Sequence, residues 1–458
     1  MNRKIKWGCI QPLTGGMYLG AENAIGHPAD WIISYPGLTD IKKTKKGTIS
    51  NVGNEYNLLM YLKKHNRLPK YKVFNKKPFI NNDINEVELI DVEGWSTGDI
   101  NLENTDIVVS VPVCSGLSQA TIAKDDTKDE RNCNMIWNAK FTLGVVKPKV
   151  YIFENAPLLF SGNSAQHVRE TLIDIANNYG YSLIFYKTDT KLHFNCQRRP
   201  RTFVIFVKGQ GAPEMLYENM PIDLVEYMEK LDKNSSQQEC VNMNSIDVVL
   251  YDYIKYKYGE NYRETSYHWT LDNIIKNNLW EDYYNYVDNY DCSEDVKEKV
   301  KHLCDHVQYK LSLGKNFYVL VPSITNKNSK TIPACMFKTI PTLIHYNEDR
   351  LYTIREWLHL MGHPSDFELY GDINVNYPKI GQNVTSSDKI ILITNSNEYS
   401  MPNILGWSKN DIIELCNLLK IKYNINGYGY ATTQNIAPNT KIEENMTLEV
   451  NLSSGLGE

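Results

Sequence analysis

Five short stretches hold side chains able to make or break bonds, and most of them directly follow an apolar run. Cys114 closes the run 107–113, in Ser110-Val111-Pro112-Val113-Cys114, with Gly116 just beyond it. A thiol there can act as a nucleophile, although a lone cysteine is more often a buried structural thiol. Glu154-Asn155 follows VYIF at 150–153. A carboxyl so placed can hold or move a proton, or it can cap a helix or face solvent. Gln197-Arg198-Arg199-Pro200-Arg201 leads into TFVIFV at 202–207. Along an extended chain Gln197, Arg199 and Arg201 share one side. Guanidinium groups in that row suit phosphate or a carboxylate, the alternative being a surface basic cluster. Gly98-Asp99-Ile100 offers another acid, and Gly15-Gly16 before MYLGAE lets a nucleotide approach the backbone.

The elements that must position these groups read as alternating strands and helices over residues 1–205. Apolar runs at 107–113, 150–153, 182–186 and 202–207 are separated by helical patterns such as 165–180. This predicts an α/β fold with a largely parallel sheet covered on both faces, whose ligands sit at the carboxyl ends of the strands. Residues 206–345 lack that alternation. They are rich in Tyr, with an amphipathic segment SEDVKEKVKHLCDHVQYKL, and read as a smaller domain or large insertion. Helix and strand patterns return over 346–395, and 396–458 form a compact tail.

Composition narrows the class. The 458 residues are 42% apolar and 22% charged, as in a globular protein of two or three domains. The net charge of -5 argues mildly against a nucleic-acid binder, but a local basic cleft can sit on an acidic surface. Nine dispersed cysteines without a Cys-x-x-Cys pair predict reduced thiols and no metal. The N-terminus lacks the apolar stretch of a signal peptide, and no run is long enough to span a membrane. A cytoplasmic monomer, in a bacterial or phage-infected host cell, is expected.

In this order the motifs resemble the DNA cytosine-5 methyltransferase family over about residues 5–395. The matching pieces are Gly15-Gly16, Gly98-Asp99-Ile100, Pro112-Val113-Cys114, Glu154-Asn155 and Gln197-x-Arg199-x-Arg201, then IREWLHLMGHPSDF at 354–367 and YPKIGQNV at 377–384. The resemblance implies a Rossmann-like class I methyltransferase sheet, S-adenosylmethionine as methyl donor and a cytosine flipped out of duplex DNA. It assigns Cys114 to attack carbon 6 and Glu154 to hold the proton at the ring nitrogen. Arg199 would contact the base carbonyl and orient Glu154, and Arg201 would position the Cys114 loop. Asn155 and Gln197 would face the substrate. Gly15, Gly16, Asp99, Ile100, Pro112, Asn383 and Val384 would line the cofactor site. The region 206–345 would read the DNA target, in a restriction-modification or bacteriophage setting.

Departures from the family pattern cluster around the cofactor. The first loop reads Gln11-Pro12-Leu13-Thr14-Gly15-Gly16 in place of Phe-x-Gly-x-Gly-Gly, and WIISYPG at 31–37 offers no acid for the ribose hydroxyls. The nucleophile loop has Pro-Val-Cys for Pro-Pro-Cys, and the late segment Gly-Gln-Asn-Val for Gly-Asn-x-Val. A catalytically weakened DNA-binding protein and an RNA cytosine-5 methyltransferase stay open as alternatives. The tail, with Met401-Pro402-x-x-x-Gly406-Trp407-Ser408, a helix at 408–419 and Gln434-x-Ile436-Ala437-Pro438, resembles a PASTA module, a small α+β unit. Such modules bind cell-wall fragments outside the cell, so a structural or DNA-facing accessory role is expected here.

Overall fold

The structure is a computed structural model. It describes residues 4–96, 98–117, 130–193, 195–209, 222–243, 245–262, 271–314, 323–324, 332–333, 343–382, 401–407, 409–438, 440–443 and 446–453. The amino-terminal half alternates as its apolar runs predict. Strand β1 (Trp7–Ile10) leads through a glycine loop into helix α1 (Gly16–Ile25) and strand β2 (Trp31–Ser34). A small antiparallel hairpin follows, β3 (Ile41–Lys43) and β4 (Ile49–Val52), then α2 (Tyr56–Lys64), β5 (Lys70–Phe74) and β6 (Leu89–Asp91). Next come β7 (Ile107–Ser110), α3 (Glu130–Phe141), β8 (Val150–Asn155), α4 (Leu158–Ser161), α5 (Gln166–Tyr179), β9 (Tyr181–Asp189), β10 (Gln197–Arg198) and β11 (Pro200–Lys208).

Eight of these strands form one sheet in the order β6-β5-β2-β1-β7-β8-β11-β9. The five from β5 to β8 are parallel, and β11 runs antiparallel between β8 and β9. Both faces are covered because successive side chains of each central strand enter opposite cores. Cys9, Ile32, Val109, Ile152 and Phe203 pack on the side of α1 and α2. Ile10, Ile33, Val108, Phe153 and Val204 pack on the side of α3 and α5. Helix α5 stops at Gly180, whose φ of 73° is the left-handed conformation that ends helices.

Between β11 and residue 314 the regular elements described are helices, followed by the short strands Ser323–Ile324, Ile332–Pro333 and Leu343–Ile344. α6 (Leu224–Glu229) and α7 (Ser245–Tyr258) precede helices Trp280–Asn289 and Glu294–Ser312. Most of the tyrosine signal here is packing: Tyr251, Tyr253 and Tyr283 are buried in the same core as α1 and α2, whereas Tyr256 and Tyr309 are exposed. The chain then returns through helix Ile354–Leu360, started by a reciprocal cap between Thr353 and Glu356. Arg355 beneath it is buried and donates to the carbonyls of Ser236 and Phe367.

The tail has its own core. Helix Lys409–Leu419 packs on strands Lys422–Asn426, Tyr430–Gln434 and Thr447–Ser453 around Trp407, Ile412, Leu415 and Leu448. Among the described residues, no helix is long and apolar enough to cross a membrane, and no group of three or more His, Cys, Asp or Glu is placed to hold a metal.

Candidate active site

The loop after β7 carries Cys114. Val111 and Pro112 are buried, and Cys114 is half-buried at the carboxyl end of the sheet. α3 fixes this loop. Asn134 Oδ1 accepts from the Val113 N–H at 2.9 Å, and the Cys114 carbonyl accepts from Leu117 N–H. A Cβ on Gly116 would lie 2.4 Å from Asn132 Oδ1, so the loop and α3 meet closely enough to require glycine.

β8, hydrogen-bonded to β7, ends in Glu154-Asn155, both essentially without solvent exposure. β11 pairs with β8 and brings Arg201 to Glu154, with Nε 3.4 Å from Oε2 in an ion pair that lacks hydrogen-bond geometry. Burial pushes the Glu154 carboxyl above its ordinary range, and the guanidinium groups of Arg201 and Arg199 pull it back. The same three groups act on Cys114. Burial and then Glu154 raise the thiol, while Arg201 and Arg199 lower it. Cys114, Glu154, Arg199 and Arg201 therefore stand within electrostatic reach of one another, although 87 residues separate the first from the last.

Gln197 and Asn155 complete the group. Gln197 N–H donates to Asn195 Oδ1 at 2.7 Å, and Asn195 Nδ2 donates to the Leu360 carbonyl, which ties this corner to the returning helix. Both amide atoms of Gln197, Nδ2 of Asn155 and Oε2 of Glu154 are buried without a hydrogen bond among the described residues. Leaving such an atom unpaired costs roughly 1–3 kcal/mol each. A polar ring offering both donors and acceptors would satisfy them, as a pyrimidine edge does.

The glycine loop expected to hold a cofactor connects β1 to α1. Gly15 has φ +98°, and a Cβ there would meet Leu58 at 2.6 Å. Leu13 occupies the place of the family's first glycine, and it too is left-handed, with φ 51°. Gln11 in the same loop has φ 55° and a buried, unpartnered Oε1. α1 starts at Gly15 without a side-chain cap, so its first-turn N–H groups can take a carboxylate.

A buried acid does stand near the end of β2: Glu55. Fully buried, it is approached by the Leu13 N–H and by the Ser34 hydroxyl at the end of β2, and its Oε2 accepts from Tyr71 Oη at 3.0 Å. Burial pushes its carboxyl to about 8. Sequence reasoning missed it because residues 35–54, including the β3–β4 hairpin, separate it from β2. The available signal was Asn54-Glu55 at the start of an amphipathic helix.

Asp99 is placed elsewhere. Its side chain is 98% exposed and pairs with Lys72 at 2.8 Å, while Lys70 donates to its carbonyl. Both lysines precede Phe74, the crevice end of β5, so the structure does not bring Asp99 to Gly15 and Glu55. Ile100 packs partly against the α3–α5 core. Asn383 and Val384 lie outside the described residues.

The sequence matches the family of C-5 cytosine-specific DNA methylases over residues 60–387 and the PASTA domain over 399–454. The chain belongs to the C-5 cytosine-specific DNA methylase family. Among solved structures it is similar to a DNA modification methyltransferase encoded within an E. coli prophage, at 15% identity and TM-score 0.43, covering 84% of this chain and 95% of that one. It is also similar to Entamoeba histolytica methyltransferase EhMeth, at 14% identity and TM-score 0.42, with the same coverage. S. pombe Dnmt2 methyltransferase follows at 14% identity and TM-score 0.39, again covering 84% and 95%. No curated protein matches the chain. This methylase thus joins an eight-stranded α/β sheet to a C-terminal PASTA domain.

Proposed function

We propose that this methylase transfers a methyl group from S-adenosylmethionine to carbon 5 of a cytosine flipped out of duplex DNA, through a covalent bond to Cys114. The observation that carries the reading is the joint electrostatic coupling of Cys114, Glu154, Arg199 and Arg201 in one largely buried corner.

Carbon 5 of cytosine is a poor nucleophile. Cys114 loses its proton and its sulfur bonds to carbon 6, pushing ring electrons toward carbon 5. Glu154, whose carboxyl burial raises above its ordinary range, holds a proton at the ring nitrogen that gains charge. Arg201 orients Glu154, and Arg199 neutralises charge at the base carbonyl. Asn155 and Gln197 supply the buried donors and acceptors that hold the ring edge. When bound, S-adenosylmethionine supplies the electrophilic methyl group that carbon 5 attacks. A base then removes the carbon 5 proton, and the sulfur leaves carbon 6 with its electron pair.

The crevice fits the donor at two of its ends: the uncapped start of α1 suits the methionine carboxylate, and Glu55 suits the ribose hydroxyls. Gly15, Gly16 and Pro112 line the same end of the sheet, and the family resemblance assigns Asn383 and Val384, outside the described residues, to the same cofactor. Asp99 and Ile100 would reach the adenine only if the 98–100 segment moved toward the crevice. Residues 206–345 act as the target-recognition region between the catalytic domain at 1–205 and its return at 346–395, with the PASTA domain beyond.

Duplex DNA containing 5-fluorocytosine tests the reading, because fluorine blocks loss of the carbon 5 substituent. A denaturation-resistant adduct forms with wild type and not with Cys114→Ser, which still binds DNA. Absence of the adduct on every duplex tried, with an adduct on RNA, moves the activity to RNA. The left-handed Leu13 and the outlying Asp99 favour a second reading, a silent DNA-binding protein. Calorimetry that detects no S-adenosylmethionine binding selects it.

A further inference from the structure

We propose that the β3–β4 hairpin is an arm that grips the phosphodiester backbone of duplex DNA beside the catalytic crevice, a proposal that rests on the reading of duplex DNA as substrate. The end of β3 and the turn after it carry Lys42, Lys43, Lys45 and Lys46, all exposed. The methylase as a whole has a net charge of -5, yet residues 36–54 hold these four cations and a single acid, Asp40. None of the four ammonium groups has an ion-pair or hydrogen-bond partner among the described residues. Surface lysines in this chain otherwise often have one, as Lys255, Lys257, Lys299 and Lys301 do. Four cations gathered on one short stretch repel each other, and a polyanion relieves that repulsion by releasing its own counterions.

The hairpin is built to bear load at its base. Gly53 N–H donates to the Asp40 carbonyl, and Thr44 N–H to the Thr48 carbonyl closes the tip. The returning chain clamps β4: Asn376 accepts from Val52 N–H and donates to the Ser50 carbonyl, and the buried Lys379 ammonium donates to Asn51 Oδ1 at 2.7 Å. Its place is also fixed. The hairpin leaves the carboxyl end of β2, and the Cys114 loop leaves the carboxyl end of β7, with only β1 between them. Strands spaced about 4.8 Å apart put the two exits roughly 10 Å from each other on the same edge of the sheet. A duplex presenting a flipped base to Cys114 has its flanking phosphates at that rim. Lysine contacts to phosphate carry no base information, so this arm adds affinity and register while leaving sequence choice to other elements.

Salt dependence of binding tests the arm. A fluorescent duplex is titrated with wild type and with the Lys42→Gln/Lys43→Gln/Lys45→Gln/Lys46→Gln variant across a series of KCl concentrations. Each phosphate contact contributes about 0.9 to the slope of log affinity against log salt. The variant is expected to lose about 2–4 slope units, equally on duplexes of unrelated sequence, while S-adenosylmethionine binding measured by calorimetry is unchanged. The corresponding Lys→Arg variant keeps the wild-type slope, which separates charge from folding. A slope unchanged by the glutamine variant, with wild type binding the duplex, overturns the arm and leaves the methylase reading intact. A wild type that binds no duplex at all overturns both.

Discussion

Glu154 and Glu55 are both buried acids with raised carboxyl pKa, and they differ in what faces them. Glu154 has two guanidinium groups in reach, so it can be held near a chosen protonation state as charge develops on a base. Replacing it with Gln removes the exchangeable proton while keeping size, and the rate of adduct formation on 5-fluorocytosine DNA is expected to fall about 100-fold or more. Because burial raises the Cys114 thiol, the same rate in wild type rises with pH beyond the ordinary thiol range. A rate that is flat with pH would mean that sulfur ionisation does not limit the step. Among the described residues no cation contacts Glu55, and burial pushes it from 4.5 to about 8. Below pH 4.5 it is protonated in folded and unfolded chains alike. Between 4.5 and about 8 only the folded chain keeps the proton, so stability from this group falls as pH rises through that window. Glu55→Gln is expected to flatten the dependence of Tm on pH there, as thermal melts in a buffer series would show, and to weaken S-adenosylmethionine binding.

At the scale of elements, the glycine loop and α3 decide how well the site is formed. Leu13 holds a left-handed conformation that costs a branched side chain roughly 1–2 kcal/mol. The same side chain is 8% exposed in the main core, and removing a buried leucine costs about 2–5 kcal/mol. Burial wins, so Leu13→Gly is expected to destabilise the methylase by about 1–3 kcal/mol in urea unfolding, even though it restores the family's glycine. The loop after β7 depends on one side chain of α3. Asn134→Ala leaves the Val113 N–H without its acceptor and should slow adduct formation roughly 10-fold, with S-adenosylmethionine affinity unchanged. Equal losses in both would show that Asn134 supports the fold and not the loop.

For the whole molecule, two cores cover the sheet and a third belongs to the PASTA domain alone. Removing residues 397–458 is therefore expected to shift the main melting transition by less than roughly 2 °C in calorimetry. A larger drop would mean that the domain supports the catalytic part. The helices of 206–345 share the core of α1 and α2, so the proposed target-recognition region is not a detachable reader; deleting it would remove Tyr253 and Tyr283 from that core and uncover what they pack against.

Much of this was legible from residue types and order. Apolar runs with alternating burial specify strands covered on both faces, and a thiol, an acid and two arginines at strand ends foretell a common crevice, because parallel strands end on one edge. Spatial facts with no sequence period were not legible. Glu55 reaches the end of β2 beside Ser34 only because the hairpin folds out and back. Asp99, well placed by motif, is carried onto β5 by Lys70 and Lys72. The raised carboxyls and thiol were invisible for the same reason, since desolvation depends on which distant segments close over a group. Residue order specified the chemistry of this methylase. Tertiary packing decided which acid stands at the end of β2, because a linear spacing does not record how far a loop travels before it returns.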